Sequence, residues 1–141
     1  MSCFQILKNG IAALLLVVIA AACTGKKAPD PMGTVSGTIN YGPDVQLSPT
    51  AVAYVRLADV TKGDVDGKTI VQTEIPDLTQ SPLPYELTYK EKHIDPMHLY
   101  AVDVRIVDKG KLLLISPPKQ MVITQSNPQT LDLTLTPARG F

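Results

Sequence analysis

The densest polar cluster of the sequence contains both of its histidines. The run His-Ile-Asp-Pro-Met-His at 93–98 places two imidazoles and a carboxylate within six residues. His93, Asp95 and His98 are therefore candidate ligands for a transition metal, with Met97 as an additional soft ligand suited to copper. The alternative interpretation is a turn that leads into a strand, in which Asp95 caps the turn and both histidines face solvent.

A cysteine follows an apolar run near the N-terminus. Residues 11–22 are uninterrupted apolar residues that follow Lys8, and the run is too short for a bilayer-spanning helix, which needs about 20 residues. A charged start, an apolar centre and small residues at the end are typical of a secretory signal peptide, predicted here at residues 1–22. Ala20-Ala21-Ala22-Cys23 resembles a bacterial lipobox, in which the cysteine thiol receives a lipid that contains palmitate.

Lipidation of Cys23 predicts an anchored protein. Lipoboxes usually carry leucine where this chain has Ala20, so cleavage by the ordinary signal peptidase, leaving Cys23 unmodified, is the alternative. The residue after the cysteine is Thr24 and not the aspartate that commonly retains lipoproteins in the inner membrane. This resemblance predicts the inner leaflet of the bacterial outer membrane, facing the periplasm. Residues 23–33 are predicted to be the lipidated cysteine and a flexible tether.

Composition excludes several functional classes. The chain has 13 Lys+Arg against 13 Asp+Glu, without the clustered basic surface that nucleic-acid binding requires. No serine lies in a Gly-x-Ser-x-Gly elbow, and no glycine loop is arranged to hold a phosphate. We therefore predict no enzyme, no catalytic residue and no cofactor.

Beyond the tether, apolar and polar residues alternate with period 2. Val35, Gly37 and Ile39 alternate with polar residues, which is typical of a strand with one buried face. Further strands are predicted at 51–60, 69–75, 83–89, 99–107, 111–116, about 120–124, and 130–136, and a single helical turn at Lys90–Ile94. Seven to eight short strands predict an all-β domain at residues 34–137, a β-sandwich of Ig-like or transthyretin-like type.

One predicted strand departs from alternation. Leu112, Leu113, Leu114 and Ile115 are consecutive and place apolar side chains on both faces of the strand. One interpretation is a patch that faces a protein partner. The alternative is a strand buried on both faces by the loops around Pro117-Pro118.

Several of these segments together resemble the YbaY/YscW-type lipoproteins. The segments are Val35-Ser-Gly-Thr-Ile39, the strand at 51–60, Pro82-Leu-Pro-Tyr-Glu-Leu87, the run at 94–106 beginning Ile-Asp-Pro, and Lys111-Leu-Leu-Leu114. They occur in the order of the family pattern and cover about residues 34–136. The resemblance implies a small periplasmic β-sandwich lipoprotein without catalytic apparatus. Some members are chaperones or pilots for the secretin ring of type III secretion systems, and others are envelope lipoproteins of unassigned role.

The sequence therefore predicts a non-enzymatic, outer-membrane-anchored periplasmic lipoprotein with a protein-binding, chaperone-like or envelope-maintenance role. Its expected partners are the membrane, through the lipid on Cys23, and an envelope protein such as a secretin. Two alternatives stay open: a pilot lipoprotein for a type III secretion secretin, and a periplasmic metal-binding protein that uses His93, Asp95 and His98.

Overall fold

The structure is a computed structural model that describes residues 25–63 and 66–139. The predicted signal peptide and Cys23 lie outside the described residues. Within those two ranges, no helix has both the length and the apolar character needed to span a bilayer.

The described residues form strands of unequal length. The strands are β1 (Met32–Asn40), β2 (Val52–Asp59), β3 (Lys68–Ile75), β4 (Leu83–Lys90), β5 (Tyr100–Asp108), β6 (Lys111–Ile115), β7 (Met121–Val122), β8 (Leu133–Thr134) and β9 (Thr136–Pro137). A 3₁₀ turn at Glu91–His93 follows β4, within the helical turn predicted at 90–94. β1 begins at Met32, so Met32 and Gly33, which the sequence assigned to the tether, belong to the first strand.

Two sheets pack face to face. The smaller sheet has the order β4-β1-β8, and the larger has the order β3-β2-β5-β6-β9, with β7 pairing to β5. The prediction of an all-β sandwich is confirmed. The long neighbours β1–β4, β2–β3 and β2–β5 are antiparallel, which allows each sheet to bury one face and to expose the other.

The core consists of the inward residues of both sheets. β4 shows the pattern most simply, because every second residue from Leu83 to Tyr89 is buried and every intervening residue is exposed. The largest side chains that are fully buried are Tyr100, Ile39, Leu57, Leu87, Ile106 and Leu133. Burial of each aliphatic side chain of this size stabilises the fold by about 1.5–3 kcal/mol.

The C-terminal segment closes one side of the sandwich. β8 pairs in parallel with β1 of the smaller sheet, and β9 pairs with β6 of the larger sheet. Leu135, between the two strands, is buried. The prediction of one continuous strand at 130–136 is therefore wrong, because the chain crosses from one sheet to the other within this segment. Apolar and polar residues still alternate through the crossing, because β8 and β9 both turn the same side of the chain towards the core.

Gly37 permits this crossing. Leu131 donates its N–H to the Ser36 carbonyl at 2.9 Å, and its own carbonyl accepts a hydrogen bond from the Tyr85 hydroxyl at 2.8 Å. A Cβ on Gly37 would overlap that carbonyl. Burial, together with the charge of Asp132, raises the pKa of Tyr85 to about 12, so this hydroxyl stays a donor at every physiological pH.

Gly37→Ala is expected to destabilise the domain. The added methyl group meets backbone and not a movable side chain, and overpacking of this kind costs about 1–3 kcal/mol. Urea denaturation followed by circular dichroism measures the change.

The matched control is Gly42→Ala, because nothing lies within 4 Å of a Cβ built at Gly42. Equal stability of the two variants would contradict the role given to Gly37.

Candidate functional sites

The histidine cluster lies at the end of the sandwich where the described chain enters β1. Met32 pairs with Lys90, Asp59 pairs with both Lys68 and Tyr100, and the 3₁₀ turn connects the two sheets there. We call this region the anchor end. Its open cleft, of about 480 Å³, is lined by Asp59, Lys68, Ile70, Lys92, His93, Ile94, Asp95, Pro96, His98 and Tyr100.

His98 is paired with an acid that the sequence analysis did not single out. Its Nδ1 lies 2.7 Å from Oδ2 of Asp59, and its Nε2 lies 3.9 Å from Oδ2 of Asp95. Thr61 donates both its N–H, at 3.0 Å, and its hydroxyl to Oδ1 of Asp59. Asp59 is 39 positions from His98 along the chain, and only the pairing of β2 with β5 brings them together.

These hydrogen bonds control the ionisation of Asp59. Partial burial opposes the charged form, but hydrogen bonds from Thr61 and from His98, together with the charge of His98, outweigh burial and lower the pKa of the Asp59 carboxyl below 3.8. Asp59 is therefore an anion at neutral pH that orients the imidazole of His98.

Asp95 holds a turn. Its carboxylate accepts the N–H of Met97 at 2.9 Å, its carbonyl accepts the N–H of His98 at 3.0 Å, and its own N–H donates to the Tyr100 hydroxyl at 2.8 Å. His93 is exposed on the same cleft. Among residues 25–63 and 66–139, no three His, Cys, Asp or Glu side chains are grouped so as to hold a metal ion. The local geometry at Asp95 is that of the strand-entry turn given as the alternative, and His93 faces solvent as that alternative expects, but His98 is half-buried against Asp59.

The four apolar residues at 112–115 divide between two faces of β6. Leu114 is 3% exposed in the core, whereas Leu112 is 41% exposed on the opposite face; Leu113 and Ile115 are half-buried. The pairing of β5 with β6 shifts register between Ile106 and Val107, and this bulge accommodates Leu113 as an extra residue. One leucine of the run therefore belongs to the core, and another faces outward.

Leu112 continues an apolar surface on the outer face of the larger sheet. Val52 pairs with Val107, which pairs with Leu112, and in the next row Tyr54 pairs with Arg105, which pairs with Ile115. We call Val52, Tyr54, Val107, Leu112 and Ile115 the outer patch. A salt bridge between Arg56 and Asp103 (Nε to Oδ2, 2.8 Å) lies on the same face, next to the patch.

The smaller sheet presents a different outer face. Its exposed residues on β1 and β4 are Met32, Thr34, Pro84, Glu86, Thr88 and Lys90. Met32 lies at the anchor end, and apart from it and Pro84 these residues are polar or charged, so the apolar rows of the outer patch distinguish the larger sheet.

A second cleft, of about 530 Å³, lies at the far end of the sandwich, between the loops 41–49 and 77–81. The β1–β2 loop is fastened beside it by Asp108, which accepts hydrogen bonds from the hydroxyls of Thr50 and Ser48. These bonds lower the pKa of the Asp108 carboxyl.

Asp59→Asn is expected to lower the free energy of unfolding by about 0.5–1 kcal/mol at neutral pH, since the pair with His98 is partly exposed and screened. The pKa of the Asp59 carboxyl is lower in the folded protein than its ordinary value of 3.8. The stabilisation that its carboxylate provides is therefore complete above pH 3.8, and it is lost as the pH falls through the lower pKa of the folded state. The difference between the two proteins should therefore shrink as the pH falls progressively below 3.8. Urea denaturation at a series of pH values measures it.

The control is Asp44→Asn, at an exposed turn residue, which should leave the unfolding free energy unchanged. If the free energy of unfolding of Asp59→Asn stayed below that of the unchanged protein at the lowest pH, the stabilisation by Asp59 would not be electrostatic.

Known proteins resemble this chain over most of the sandwich. An uncharacterized lipoprotein of Escherichia coli K12, YbaY, is 31% identical over 106 residues, which are 74% of this chain and 55% of YbaY. The chain thus spans about half the length of this curated relative. Among solved structures, an alternative pilotin from the type II secretion system of Vibrio cholerae is similar with a TM-score of 0.72 and 28% identity, over 78% of this chain and 100% of the pilotin.

The family model described as type III secretion system lipoprotein chaperone, YscW, matches residues 30–135. The match begins at Asp30, just before β1, and ends at Leu135, where the chain crosses between the sheets. It therefore covers the strands that form both sheets up to the crossing. The chain belongs to the YscW family of lipoprotein chaperones.

Proposed function

We propose that this protein is a non-enzymatic pilot lipoprotein that binds a secretin subunit and escorts it to the outer membrane. The observation that carries the proposal is the similarity to the Vibrio cholerae pilotin, which extends over the whole of the solved pilotin chain. The family match to lipoprotein chaperones supports the same role. Within the described residues, the histidine cluster includes a turn that the hydrogen bonds of Asp95 hold.

The proposed anchor is the lipid on Cys23. Each buried methylene group contributes about 0.8 kcal/mol, and two acyl chains hold a protein on a membrane far more firmly than one. Thr24 after the cysteine supports sorting to the inner leaflet of the outer membrane. A pilot needs such an anchor because its client must be carried to that membrane and retained there.

The outer patch is the proposed surface for the client. Apolar patches that stay exposed on a folded domain are typical of protein-binding sites, and a strand-lined surface of branched and aromatic side chains can cover an apolar segment of an unassembled subunit. Leu112 is the most exposed member of the patch. Arg56 and Asp103 next to it provide the polar rim that such interfaces usually have.

Cys23→Ser is expected to abolish labelling with radioactive palmitate and to release the protein from the membrane fraction, because the hydroxyl replaces the thiol that accepts the lipid. Membrane fractionation and labelling of the full chain in a bacterial host measure both effects.

Cys3→Ser is the matched control, since Cys3 lies within the predicted signal peptide. Labelling of Cys23→Ser at the level of the unchanged protein would overturn Cys23 as the anchor, and absence of labelling from the unchanged protein would favour ordinary signal-peptidase cleavage.

Leu112→Asp is expected to weaken binding to a secretin subunit from the same genome by about tenfold or more, which is about 1.4 kcal/mol, while the thermal midpoint stays unchanged. The charge is placed on the exposed end of the outer patch and leaves the core intact. Photo-crosslinking in cells and titration of the purified proteins measure the loss.

The control is Thr88→Asp, which places the same charge on the outer face of the smaller sheet. If Leu112→Asp unfolds the domain, Leu112 is a structural residue and the patch is not the client site. Unchanged binding by a folded Leu112→Asp contradicts the proposed site as well.

A further inference from the structure

The tether is fastened to the anchor end before β1 begins. The Asp30 carboxylate accepts a salt bridge from Nζ of Lys92 at 2.7 Å and lies 3.7 Å from Nζ of Lys90. Glu91 also donates its N–H to the Pro31 carbonyl at 3.0 Å. Seven residue steps separate Asp30 from Cys23, so the two are at most about 25 Å apart. A lipid on Cys23 therefore keeps this end of the sandwich close to the bilayer.

Two of the three large apolar side chains that are exposed among the described residues lie at the anchor end. Within the described ranges, the large hydrophobic side chains that are exposed are Met97 (80%), Met32 (51%) and Leu112 (41%). Met32 is the first residue of β1, and Met97 is the tip of the turn that Asp95 holds. Gln125 also donates its side-chain N–H to the Met97 carbonyl at 3.4 Å. The backbone of Met97 is thus held in place while its side chain projects away from the protein.

Charges at the anchor end are balanced. The described residues there, including the tether that leads to β1, carry six lysines against five acids: Lys26, Lys27, Lys62, Lys68, Lys90 and Lys92 against Asp30, Asp59, Asp66, Glu91 and Asp95. Such a mixture gives no strong attraction to anionic lipid, but it suits headgroups that carry both a phosphate and an ammonium group. Contact with a bilayer at this end would depend on the apolar side chains more than on net charge.

We propose that the anchor end docks on the phospholipid surface to which the lipid on Cys23 is attached, with Met97 and Met32 in the interfacial layer. The short tether raises the effective concentration of the two methionines at the bilayer, so a contact too weak to recruit a free domain orients a tethered one. This inference rests on the anchoring at Cys23 in the proposed function, and it adds the orientation of the domain.

Tryptophan fluorescence tests the orientation, because the chain contains no tryptophan. The processed chain, in which Cys23 is the remaining cysteine, is coupled through it to maleimide lipid in vesicles of phosphatidylethanolamine and phosphatidylglycerol. Brominated acyl chains then report the depth of one introduced tryptophan. Met97→Trp should be quenched several-fold more strongly than Gln46→Trp, which lies in the β1–β2 loop at the far end.

The Gln46→Trp control carries the same preference of tryptophan for the interface, so only position differs between the two variants. Quenching of Met97→Trp should persist in about 1 M salt, where the Debye length is about 3 Å. Equal quenching of both variants, no quenching of either, or loss of quenching in salt would overturn the proposal. The coupling replaces cellular lipidation and no secretin is present, so these outcomes are independent of the pilot role.

Discussion

Residues 130–137 pass from the smaller sheet to the larger one over a position that must have no side chain. The Leu131 carbonyl occupies the space that a Cβ on Gly37 would need, and that carbonyl is held by the Tyr85 hydroxyl. With the crossing in place, β8 extends the smaller sheet, β9 extends the larger sheet and Leu135 enters the core. A side chain at Gly37 would push this segment outward and expose the apolar residues that both sheets bury.

The crossing leaves the opposite side of the sandwich with two unpaired strand edges, those of β3 and β4. Open edges invite pairing with other chains, and proteins protect them with charge, proline and bulges. Here β4 carries Pro84 and Glu86, while β3 carries Lys68 and a register shift near its start. Because both edges carry these features, recruitment of a client by strand addition is less favoured than contact with the outer patch, whose row of Val52, Val107 and Leu112 is apolar and whose second row contains one cation, Arg105.

Alternation of residues was sufficient to predict which side chains form the core, because the alternation depends only on which side of a strand is buried. It could not identify partner strands: Leu131, Leu133 and Leu135 have the same period whether they belong to one strand or cross between two. The bulge at Leu113 was hidden for the same reason, since it arises from register with β5. The pair of Asp59 with His98 depends on neighbouring strand ends, whereas the turn at Asp95 is local and was among the predicted alternatives.

The two surfaces used by the proposed function are separated along the strands. β2 runs from Val52, in the outer patch, to Asp59 at the anchor end, and seven residue steps at about 3.3 Å each place them about 23 Å apart. With the anchor end on the bilayer, the outer patch is held above the headgroups on a side of the sandwich that the membrane does not cover. Membrane contact and client binding therefore do not compete for the same residues. A pilot built in this way can keep its client while it stays anchored, because the two surfaces lie towards opposite ends of the sandwich.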